Sequence, residues 1–73
     1  MIRFHVLVSR SATRAPFPQY ITAEDAALAA FAAWCDQPDV PATRPNVYPV
    51  DASRWVASDG HRTIRIQILG REA

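Results

Sequence analysis

The chain has 73 residues, a formal net charge of +1 and a single cysteine, Cys35. That length holds one domain, residues 1–73, with one modest core, and a lone thiol excludes an internal disulfide. There is no apolar run near the ~18 residues of a membrane helix and no charged-then-apolar leader, so a cytoplasmic protein is expected.

Residues 1–8 alternate as a strand does, with Ile2, Phe4, Val6 and Val8 on one side and Arg3, His5 and Leu7 on the other. Residues 9–19 have loop composition. Phe17, Tyr20 and Ile21 suggest a short second strand, which Pro16 and Pro18 confine to a sheet edge. Thr22-Ala23-Glu24-Asp25 predicts a helix start with Thr22 as N-cap and Asp25 at the capping-box position. The helix is expected from about Ala23 to Cys35 or Asp36, with Ala27, Leu28, Phe31, Trp34 and Cys35 as its buried stripe. Pro38 and Pro41 stop it. Its other face carries Ala26, Ala29, Ala30 and Ala33, which reads either as a smooth patch for a partner or second copy, or as helix propensity in an alanine-rich chain.

A proline-punctuated connection spans residues 37–45. Asn46 to Val50 look extended, Asp51-Ala52-Ser53 turn, and Arg54 to Ala57 resume a strand, with Pro49 marking an edge or bulge. Asp59-Gly60 predicts a hairpin into a last strand from His61 to Leu69. A two-residue loop there sets Arg54 opposite Arg65, with Trp55 on the face of Ile64, Ile66 and Ile68. Like charges in opposition are destabilising, so solvent or an anionic partner has to make that pair tolerable.

The predicted fold is α+β: an antiparallel sheet of four or five strands with one helix on one face. The inward set is Ile2, Phe4, Val6, Val8, Leu28, Phe31, Trp34, Trp55, Ile64, Ile66 and Ile68. The open face then displays Arg3, His5 and Leu7 with Arg54, Val56, His61, Thr63, Arg65 and Gln67, and no acid falls among these positions. With Arg10 and Arg14 in a nearby loop, such a face steers anionic partners. All eight basic residues are arginine, with no lysine. This fits a GC-rich genome, and arginine's planar fork also suits carboxylate and phosphate oxygens.

Sequence-tolerant nucleic-acid binding usually needs aromatic platforms beside the cations. Here Phe4 and Trp55 point inward, which favours an acidic protein surface as partner over RNA or DNA. His5 and His61 lack a third ligand for a metal. Ser58 is the only candidate nucleophile near His61, Cys35 belongs to the helix stripe, and no glycine-rich phosphate loop is present. Neither a metal, a cofactor nor an enzymatic activity is expected.

The run Tyr20-Ile-Thr-Ala-Glu-Asp-Ala-Ala-Leu-Ala-Ala and the later Trp55-Val-Ala-Ser-Asp-Gly-His-Arg resemble small phage-encoded anti-CRISPR proteins of the type I inhibitors. The resemblance implies a stoichiometric inhibitor acting in a bacterial host. It would dock on a subunit of the crRNA-guided surveillance complex, block target DNA binding, and use Arg54, Arg65 and their neighbours as contacts. A second resemblance is to the HicA toxins, small double-stranded-RNA-binding-like folds with a strand histidine. It gives His61 that part, but the lysine-rich, glycine-initiated pattern expected around it is missing. The expected contact residues are Arg3, His5, Arg10, Arg14, Arg54, His61 and Arg65.

Overall fold

The computed structural model describes residues 1–10, 15–37 and 44–72. Five strands form one antiparallel sheet: β1 Ile2–Ser9, β2 Phe17–Ala23, β3 Asn46–Pro49, β4 Arg54–Ser58 and β5 Thr63–Glu72. Their spatial order is β2-β1-β5-β4-β3, so the first and last strands pair at the centre. The one helix among the described residues, α1 (Ala26–Cys35), connects the two edge strands across one face. The fold is α+β, as the order of elements predicts. Pro38 and Pro41 lie outside the described residues.

Alternation in β1 sets the inner layer. Phe4, Val6 and Val8 are fully buried, and Ile21 and Ala23 from β2 join them with Ala57, Ile64 and Ile66 from β4 and β5. The edges carry the prolines, Pro18 in β2 and Pro49 in β3. A residue without an N–H suits an edge and blunts it against added strands.

The helix differs from its predicted form in start and in orientation. Thr22 and Ala23 are still in the ladder, opposite Arg3 and Ile2, so the helix cannot begin there. Asp25 is the N-cap instead, its carboxylate accepting from the Leu28 N–H at 2.9 Å. At the other end Gln37 Nε2 donates to the Ala33 carbonyl at 2.9 Å, occupying one of the helix's free acceptors.

The face turned to the sheet is the alanine face: Ala29, Ala30 and Ala33 are fully buried beside Trp34. Leu28 and Cys35, expected inside, are exposed, and Phe31 is half-buried. The floor beneath α1 is already filled by Phe4, Val6, Val8, Ile64 and Ile66. Alanines let the helix backbone approach that floor closely, and one tryptophan then supplies the bulk. The alanine patch is thus core and leaves no smooth surface there for a partner.

The β4–β5 hairpin also departs from the expected register. Its loop has four residues, 59–62, and Ser58 pairs with Thr63. Asp59 organises the loop: its carboxylate accepts from the His61 and Arg62 N–H groups at 2.9 and 2.8 Å, and Gly60 takes φ +93. Asx turns of this kind compete well with a tight two-residue turn. Each partner number therefore moves by two, so Arg54 faces Gln67 and Arg65 faces Val56. The predicted arginine pair does not exist. A shift of two preserves side-chain parity, and Trp55 still shares the inner face with Ile66, its direct partner.

Candidate functional site

The side of the sheet away from α1 has no second layer among the described residues. The registers place Thr22, Tyr20 and Pro18 of β2 on it, then Arg3, His5, Leu7 and Ser9 of β1. From the centre and far side come Gln67 and Arg65 of β5, Arg54 and Val56 of β4, and Tyr48 of β3.

Tyr20 and Tyr48 were not foreseen on this face. They are 57% and 48% exposed and stand on opposite edge strands. A usable signal existed: Ile21 is core, so its neighbour Tyr20 has to point the other way in a strand. The Tyr20 ring stacks on His5, with centroids 4.6 Å apart and planes 15° from parallel. The Arg3 guanidinium carbon lies 4.3 Å from the same ring's centroid, within cation–π range. One end of the face is thus an ordered Arg3–His5–Tyr20 cluster.

The predicted absence of acids is corrected at two points. β5 runs on past Gly70, with a bulge at Leu69, and this brings Glu72 opposite Arg3. Their charged atoms approach to 4.0 Å. Asp51, from the β3–β4 turn, accepts from Arg54 Nε at 2.6 Å and lies 2.5 Å from its second guanidinium nitrogen. The same carboxylate also accepts from the Ser53 and Arg54 backbone N–H groups, both at 2.9 Å. Turn geometry thus draws the acid to the arginine. Among the described residues, no carboxylate pairs with Arg65.

The Arg54 hydrogen bond, helped by the backbone donors, lowers the Asp51 carboxyl to about 2. The folded value is depressed, so the pairing is complete above pH ~3.8 and is lost as pH falls through about 2. Both partners are well exposed, and such pairs add little stability. Titration followed by carboxyl-detected NMR is expected to give about 2 for Asp51 and a clear rise toward the ordinary value in Arg54→Met. An ordinary aspartate value in the unmodified protein would mean that Arg54 is not held.

The other predicted contacts are dispersed. His61 sits exposed in the β4–β5 loop, just before β5, whereas His5 faces Gly70 near the other end of that strand. The two histidines are not brought together. Arg10 is half-buried and engaged in interactions of its own, and Arg14 lies outside the described residues. Cys35, expected in the stripe, is an exposed free thiol.

Val56 is 7% exposed although it belongs to the open face. It sits between Tyr48 and Arg65 across the ladder. Val56 and Arg65, with Leu7, Ser9, Val50, Arg54 and Gln67, line a depression of about 210 Å³ at the centre of the face. A scan of protein-family models and searches of curated proteins and of solved structures each find no match for the chain.

Proposed function

We propose that this protein is a stoichiometric binder that docks the open face of its sheet on another protein and carries out no chemistry. The observation that carries this reading is a sheet face with no covering layer among the described residues, bearing two half-exposed tyrosines with Arg3, Arg54 and Arg65 between them. Tyrosine and arginine are the residues enriched at protein interfaces.

The charge arrangement favours a protein partner over a nucleic-acid backbone. Phosphate tracking depends on the number of cations free to replace counterions. Here Arg3 and Arg54 face Glu72 and Asp51. The tyrosines do restore the aromatic groups that single-strand binding needs, so nucleic acid is the reading to test against.

In its specific form the proposal is an anti-CRISPR inhibitor acting in the cytoplasm of a bacterial host. It docks on a type I crRNA-guided complex and blocks target DNA binding; the sequence resemblance described above supplies this form. The test is co-elution with a purified type I complex and loss of that complex's DNA binding. Tyr20→Ala, Tyr48→Ala and Arg65→Glu are each expected to weaken docking by at least about tenfold, or ~1.4 kcal/mol, with the fold intact. Full inhibition by all three variants removes the face from the mechanism. A shift of bare RNA or DNA that collapses with moderate salt, without docking, replaces this reading with the nucleic-acid one, and RNA cleavage dependent on His61 would make it a toxin.

A further inference from the structure

The central depression differs from the rest of the open face in having an apolar floor and a cation, Arg65, that no carboxylate among the described residues pairs with. Val56 and Leu7 form the floor, and Ser9, Gln67 and Arg65 stand around it. Arg65 faces Val56 on one side and Ser9 on the other, so it stands on the middle one of the three central strands. Arg54 also borders the depression, but Asp51 occupies its Nε and one further nitrogen.

We propose, resting on the docking reading above, that this depression is an anchor pocket for a single glutamate side chain of the protein partner. The volume of about 210 Å³ falls below the roughly 300–1,000 Å³ of small-molecule sites and fits one side chain better than a metabolite. One open arginine matches a monoanion, and its planar fork takes both oxygens of a carboxylate. A phosphate dianion would call for a second free cation, and Asp51 holds Arg54, the other arginine that lines the depression. The apolar floor accommodates the methylenes of glutamate beneath its charged end. Ser9 and Gln67 offer hydrogen bonds at the rim.

The experiment is an amide-resolved NMR titration of the full chain with N-acetylglutamate amide, its glutamine counterpart, inorganic phosphate and a short oligothymidylate. Saturable shifts at Leu7, Val56, Arg65 and Gln67 are expected with the glutamate probe. The glutamine probe should bind about tenfold more weakly, and Arg65→Gln should lose a similar factor, while Arg65→Lys keeps part of it. Equal binding of the glutamate and glutamine probes, or shifts confined to other parts of the sheet, overturns the proposal. Tighter binding of phosphate or oligothymidylate overturns it in favour of a phosphate-reading face. The docking assay separates the two levels. If Arg65→Gln docks normally while Tyr20→Ala and Tyr48→Ala fail, the pocket is refuted and the face stands. If the glutamate probe binds as described but no surveillance complex docks, the pocket stands and the docking target is wrong.

Discussion

Replacing Trp34 with alanine is expected to leave most of the protein unfolded at room temperature. Trp34 is 1% exposed and is the only large side chain that α1 buries fully. Its neighbours on the inward face are alanines, which cannot swing in to fill the space. Truncating a buried tryptophan or phenylalanine costs roughly 3–5 kcal/mol, and a core in a chain of this length rarely supplies more than ~3–5 kcal/mol in total. The loss therefore matches the whole stability.

Trp34→Phe should be much milder. The indole Nε1 is buried without a hydrogen-bond partner among the described residues, and an orphaned donor costs about 1–3 kcal/mol. Phenylalanine removes that donor while leaving a smaller cavity, so the two effects offset. Urea melts followed by circular dichroism, with Trp55 as the remaining fluorophore, measure both variants. A Trp34→Ala midpoint close to that of the unmodified protein would show that α1 does not pack as described.

Ala30→Leu is expected to destabilise by about 1–3 kcal/mol, more than Leu28→Ala does. On hydrophobicity alone the order should be the reverse, since leucine belongs inside and alanine can go anywhere. The geometry decides otherwise. Ala30 is fully buried against the sheet, whereas Leu28 is 47% exposed. Added methylenes at Ala30 have to push the helix off the core it shares with Phe4, Val6 and the isoleucines, and truncating Leu28 removes a side chain that is nearly half solvated. The same urea melts rank the two variants. A larger loss at Leu28 would mean that the helix is rotated toward its leucine stripe.

These two cases show where the sequence was legible. Strand alternation located Phe4, Val6, Val8, Ile64 and Ile66 correctly, because period-two patterning over a half-buried sheet leaves few alternatives. Pro18 placed one edge, and Pro49 pointed to either an edge or a bulge at the other. The helix face was misread because a stripe of large residues normally marks the core, and here the sheet had already filled it. The hairpin register was off by two because Asp59 can organise a four-residue loop as readily as Asp-Gly makes a tight turn.

At the candidate site, Arg3, His5, Arg54 and Arg65 were placed on the right face by parity alone. Their pairing was not legible. Glu72 reaches Arg3 only because β5 bulges and continues past Gly70, and Asp51 reaches Arg54 through a turn. Neither follows from spacing. Tyr20 and Tyr48 were legible in principle, once Ile21 and Val47 were assigned inward.

The pairing of β1 with β5 has a consequence for how the molecule is made. β1 finds its central partner only once β5, the last strand of the sheet in chain order, has been added. Until then only the β1–β2 and β3–β4 pairings can form, each with an apolar side and an unmatched margin. Such long-range closure is slow compared with local contacts and leaves partly built chains prone to association. The middle of this sheet is thus the last part of it to close.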